Sequence, residues 1–203
     1  MAGLASCTPY RGGIDLYRPN GSCTSAYNAK KTGVNNYYLL TAGHCGLVNL
    51  AWFHDEIQVG LMQIRAYVNQ GAADAGGIGR PGTSGHKNWI FVTAGEPARP
   101  ITSRQGHDAD NAGESVCISG KVIGFWCGTI LSDNVDNVFT GTIILNNLRS
   151  ATYQSRSTDS GSPIFYGNVA KGIHLGQIGA TRYYTHIWED EQALRVAVLT
   201  APT

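Results

Sequence analysis

No uninterrupted apolar run in the chain approaches the roughly 20 residues needed to cross a bilayer as a helix, so the sequence reads as that of a soluble protein. Charge of one sign is not in excess either: 15 Lys and Arg stand against 14 Asp and Glu, a formal charge of +1 at pH 7. That balance gives neither nucleic acid nor an anionic membrane an electrostatic reason to bind. Charged residues are scarce altogether, at 14% of 203, which argues against long salt-bridged helices. The opening MAGLASCTPYRGG lacks the basic start and apolar run of a secretion signal, so an exported protein would be represented here by its mature form. Cysteines number five, too few for a disulfide-built scaffold, and none is spaced C-x-x-C as in a thiolate metal site.

What is present favours strands. The 26 glycines, with abundant Thr, Val, Ile and Tyr, suit short strands joined by tight turns. Such runs recur at short intervals: GGIDLY, TSAYNA, NNYYLLTA, IQVGLMQIRAYV, NWIFVTA, SVCIS, VIGFWCGTIL, NVFTGTIIL, SPIFYG, VAKGIHLGQIGA and RYYTHI. Glycine, asparagine or proline clusters separate most of them, a spacing that describes a β-barrel or β-sandwich. The stretch Thr93 to Arg104, with two prolines and no strand pattern, reads as a linker between two halves, 1–95 and 96–203. At the C-terminus WEDEQALRVAVL opens on acids and continues through Ala193, Leu194, Val196, Ala197 and Val198, which suits a closing amphipathic helix.

The cysteines matter by placement. Cys23 and Cys45 flank a strand-turn-strand stretch, and Cys117 and Cys127 bracket a glycine-containing hairpin. Each pair would close a local loop worth about 3 kcal/mol in the chain-entropy model and would point to an oxidising compartment. Cys7 is left over, most simply as a free thiol near the terminus, with a link to another segment or a second chain as the alternative.

A serine hydroxyl is a weak nucleophile unless a base takes its proton, and the base needs a third group, commonly a carboxylate, to hold its tautomer. The chain supplies one candidate of each kind: His44 in TAGHC, Asp74 in GAADAGGIGR and Ser160 in STDSGSP. Alone, each is more often structural, a hydrogen-bonded histidine or a turn serine. Asp55 in FHDEI is the alternative carboxylate, while Asp108 and Asp110 in GHDADN read as a solvated loop.

Taken together, LLTAGHC, DSGSP, the hairpin CISGKVIGFWCG and the opening strand GGIDLY resemble chymotrypsin-fold serine proteases, most closely the secreted bacterial streptogrisin and α-lytic branch. The resemblance implies an all-β fold of two antiparallel six-stranded barrels with a short C-terminal helix, and a secreted endopeptidase acting on proteins or peptides. It assigns Ser160 as nucleophile, His44 as general base and acid, and Asp74 as the orienting carboxylate, with the 1–95 half carrying the last two. Asp159 takes the structural place of a buried carboxylate paired with an arginine or a terminal amine. A pro-region that assists folding is an implied partner, the expected state is a monomer, and no metal or organic cofactor is needed.

By the same resemblance the substrate pocket is walled by Ser155, Ser157, His174 and Gln177, and a histidine at 174 resembles the glutamate-specific members, implying cleavage after Glu. The oxyanion hole falls to the N–H groups of Ser160 and Thr158, where the family carries glycine at the second position. A β-branched residue with positive φ is strained by roughly 1 to 3 kcal/mol. Either Thr158 finds an ordinary conformation or the hole is malformed at rest, and Thr158→Gly is expected to raise kcat. A catalytically impaired chymotrypsin-fold binding protein and an esterase with the same triad are the competing readings.

Overall fold

The computed structural model describes residues 10–79, 85–107 and 109–201, which leaves Cys7 and Asp108 outside the described residues. Two large antiparallel sheets account for most of the strands, as the glycine-rich, β-branched composition predicts. In the first, eight strands lie in the order Val196–Val198, Asn28–Lys31, Tyr37–Thr41, Asp74–Gly79, Ile57–Tyr67, Ala51–His54, Asp15–Arg18 and Gly21–Thr24. In the second, Val169–Ile178, Pro163–Tyr166, Ser115–Gly120, Gly124–Val135, Leu148–Ala151 and Thr181–His186 follow one another. Pairing of the last with the first closes a six-stranded barrel.

Burial explains which strands the alternation rule could find. Tyr37–Thr41 is buried on both faces, so YYLLT reads as a continuous apolar run, and Leu39 and Leu40 sit in the larger core with Trp52, Met62 and Ile78. Val116, Ile118, Tyr153 and Tyr184 form a separate core inside the closed barrel. Asp74–Gly79 was not expected as a strand, yet it is buried throughout. Its glycines answer to crowding: a Cβ on Gly77 would stand 2.6 Å from the Ile64 side chain, and one on Gly76 would stand 2.7 Å from that of Met62.

Two expectations are corrected. The proline-containing stretch from Thr93 to Arg104 is no bare linker, since Arg99–Pro100 pairs with His86–Ile90 and Ser103–Arg104 with the strand Val169–Ile178. The C-terminal helix spans only Ile187–Leu194. Arg195 turns left-handed at φ 56°, and Val196–Val198 then pairs with Asn28–Lys31 of the first sheet. A Val-Ala-Val run prefers an open strand edge to another helical turn. The last strand thereby crosses the division expected at residue 95.

The disulfides Cys23–Cys45 and Cys117–Cys127 are both formed, and the second joins facing residues of the expected hairpin.

Candidate active site

The strand Tyr37–Thr41 runs into a single 3-10 turn, Gly43–Cys45, that carries His44. Close packing dictates the glycine before it: a Cβ at Gly43 would stand 2.7 Å from the Ala66 carbonyl oxygen and 2.9 Å from that of Ala75. Asp74 opens the neighbouring buried strand with its side chain fully enclosed. Its Oδ1 accepts the backbone N–H of His44 at 2.7 Å, and its Oδ2 meets His44 Nδ1 at 2.5 Å. Burial works against a charged imidazole, but the charge and hydrogen bond of Asp74 outweigh it and hold His44 above its ordinary value of 6.5. Asp55 takes no part: it lies on a turn at φ 45°, half exposed, beside His54.

Ser160 arrives from the second sheet. The following Gly161, at φ 86°, sits where any Cβ would overlap Thr41 Oγ1 and the Thr24 carbonyl of the first sheet. Only glycine permits that approach, which explains the G of DSGSP and lays the serine against the first half. The contact is sealed by the Thr24 N–H donating to the Ser160 carbonyl at 2.8 Å. The Ser160 hydroxyl donates to the Leu175 carbonyl at 3.2 Å, and Leu175 and His44 line one cavity. The hydroxyl hydrogen must therefore turn away from Leu175 before it can be given to the imidazole, and catalytic hydrogen bonds are commonly incomplete in unliganded sites.

Thr158 adopts the strained conformation after all, at φ 74°. The Asp159 N–H donates to the Arg156 carbonyl at 3.1 Å, closing a turn over Arg156–Asp159 of the type II kind, in which the third residue has positive φ. The Thr158 carbonyl is fixed by the hydroxyl of Thr24 at 3.1 Å. Among the described residues, neither the Thr158 nor the Ser160 N–H is engaged in a hydrogen bond.

Asp159 is buried but has no arginine partner among the described residues. Its Oδ1 accepts from the N–H groups of Val122 at 2.8 Å and Ile123 at 3.3 Å, and its Oδ2 from that of Arg156 at 2.7 Å. Burial still raises its pKa above the ordinary carboxylate value, and these bonds pull the other way. Asp110, expected in a solvated loop, is also buried, 2.7 Å from Lys171 Nζ and 3.2 Å from the Tyr184 hydroxyl.

Beside the Ser160 loop lies a cavity of about 570 Å³ walled by Ser155, Ser157 and Gln177, with Trp126 and Arg156 at its side. The Ser155 hydroxyl meets Gln177 Oε1 at 3.3 Å. His174 is not among its lining residues. It lies on the same strand at 1% exposure, with Nδ1 2.9 Å from the Tyr153 hydroxyl. Burial lowers its value to about 3. Arg182, which sequence reasoning passed over inside RYYTHI, lines the cavity instead. The one available signal was an arginine in a tyrosine-rich strand run with no acid near it in sequence. Cys23, His44 and Cys45 lie close enough together to suggest a metal site, but the disulfide leaves no thiolate to bind one.

No family model matches the chain. Serine protease 2 of Streptomyces fradiae is 28% identical to it over 174 residues, covering 84% of this chain and 96% of that protein. Glutamyl endopeptidase 2 of Streptomyces griseus is 29% identical over 184 residues, covering 84% and 86%. Among solved structures, a glutamic acid specific serine protease described as using a histidine triad in substrate binding superposes with a TM-score of 0.80 at 26% identity, covering 93% of this chain and 99% of that one. Protease A of Thermobifida fusca shares the fold with a TM-score of 0.81 at 22% identity, covering 94% and 98%. Fold and relatives agree in direction: the chain has the chymotrypsin-like fold and is similar in sequence to serine proteases of Streptomyces and to a homologue of α-lytic protease.

Proposed function

We propose that this protease is an endopeptidase working through Ser160, His44 and Asp74, and that it prefers Glu before the scissile bond. The observation that carries the first part is His44 tied through Nδ1 to an enclosed carboxylate, in a cavity it shares with the residue whose carbonyl holds the Ser160 hydroxyl. In the reaction Ser160 Oγ attacks the substrate carbonyl carbon while His44 Nε2 takes its proton, leaving the carbonyl oxygen negative. The unengaged N–H groups of Thr158 and Ser160 receive that oxyanion. The imidazolium then protonates the leaving amine as the C–N bond breaks, and a water deprotonated by His44 cleaves the acyl-enzyme. Asp74 orients the ring and steadies its charge throughout.

Support for an acidic side chain comes from the named specificity of two relatives and from the cavity wall, where guanidinium groups and hydroxyls stand without any carboxylate among the lining residues. Two disulfides and the relationship to Streptomyces proteases support action outside the cytoplasm. Nothing in the site supports the catalytically impaired reading.

A fluorophosphonate tests the machinery: the native chain is expected to label covalently and Ser160→Ala to remain unlabelled. Equal labelling of both would remove Ser160 from its role. A peptide-library digest tests the preference, and cuts mainly after aromatic or basic residues would defeat it.

A further inference from the structure

Arg182 is held in an unusual state for a buried cation. It is 8% exposed, near the start of the strand Thr181–His186, directly across the ladder from Gln177. No carboxylate pairs with it among the described residues. Nη1 donates to the Ala180 carbonyl at 2.5 Å and Nη2 to Gln154 Oε1 at 3.0 Å. Its Nε is buried with no acceptor at all. A guanidinium offers five N–H donors, so most of its donor capacity is uncommitted. Removing such a charge from water without a counter-charge is costly, and a site that bears this cost unfilled is one that an anion completes.

Its position fits a substrate carboxylate. The cavity it lines begins at Ser155 and Ser157, in the loop that continues into Thr158 and Ser160. Gln177, which faces Arg182, also lines the cavity that contains His44. A side chain entering between these walls reaches the guanidinium, and a planar fork is well matched to a carboxylate.

We propose that Arg182 is the residue that selects an acidic side chain before the scissile bond, by binding its carboxylate in the cavity between the Ser155–Ser157 loop and Gln177; this rests on the acid preference proposed above. His174 stands behind the wall as a neutral packing and hydrogen-bonding partner of Tyr153. The reader of charge is thus on the neighbouring strand from the one the sequence motif suggests.

Two peptides differing only in Glu or Gln before the cut isolate the charge, and the readout is their ratio of kcat/KM, with active sites counted by fluorophosphonate. The native chain is expected to favour Glu by about 10²-fold, the scale of a buried charge pair. Arg182→Gln and Arg182→Met should bring the ratio to within about threefold of unity, while His174→Asn keeps it within about threefold of the native value. A native ratio near unity defeats the acid preference itself. A large native ratio that survives in either Arg182 variant, or collapses in His174→Asn alone, defeats only the role of Arg182. Because the free guanidinium is uncompensated, both variants should fold and label; failure of both to fold would make the arginine structural and overturn the proposal.

Discussion

Thr158 bears a conformation that glycine would hold at little cost. The residue sits at φ 74° because the turn over Arg156–Asp159 requires a left-handed third position, and the Thr24 hydroxyl fixes its carbonyl. Its N–H is left unengaged, so the strain bears on stability more than on rate. Thr158→Gly is therefore expected to raise the unfolding midpoint by a few degrees, about 1 kcal/mol net of the entropy glycine adds to the unfolded chain. It should change kcat by less than about threefold, where the sequence alone had suggested a gain. A large rise in kcat with no gain in stability would show that the turn misplaces the amide.

His44 supplies a second test at the same scale. A general base must be neutral, and Asp74 raises the His44 value above 6.5, so the acid limb of kcat/KM should have its midpoint above that pH. In Asp74→Asn the raising charge is gone, the limb should move to lower pH, and the maximum should fall by about 10⁴, with the tautomer no longer enforced. For stability the sign is opposite: a raised histidine stabilises the fold fully below its unfolded value, and that contribution fades as pH rises through the folded one. A limb that stays put in the variant would detach the pH profile from His44.

Among elements, the segment before Ser115–Gly120 depends on a buried charge cluster. Lys171, on the strand Val169–Ile178, lies 2.7 Å from Asp110 and 2.9 Å from Glu114. Removing one partner of a buried pair typically costs 3 to 5 kcal/mol. Arg149 and His186 remain within 3.9 Å of Asp110, so Lys171→Met should fall at the lower end, about 3 kcal/mol by denaturant titration. A loss below about 0.5 kcal/mol would show that these neighbours already neutralise the aspartate. GHDADN looked like a solvated loop because the partners of Asp110, from Arg149 to His186, lie far along the chain, on strands whose sequences say nothing of what crosses them. The same reason hid Arg182, whose significance lies in facing Gln177 across a ladder and not in any local pattern. The residues proposed for catalysis stood out for the opposite reason: TAGHC and DSGSP are compact local patterns that a reading of short stretches can find.

At the scale of the molecule, composition and turn spacing were enough to indicate an all-β chain, and the motifs to indicate its kind. The strand of Asp74 escaped notice because its glycines answer to the bulk of Met62 and Ile64, which no local propensity registers. The closing valines escaped because a run that continues a helix and one that joins a distant edge look alike until the edge is known. That edge belongs to the first sheet, which also holds Asp74 and the strand that runs into the His44 turn, and it receives Val196–Val198 only after the whole second barrel has been traversed. A ribosome delivers residues in order, N-terminal first. The sheet that positions the proposed base stays one strand short of complete until Val196–Val198 leaves the exit tunnel, so a nascent chain carries all three members of the proposed triad before it has the frame that aligns them.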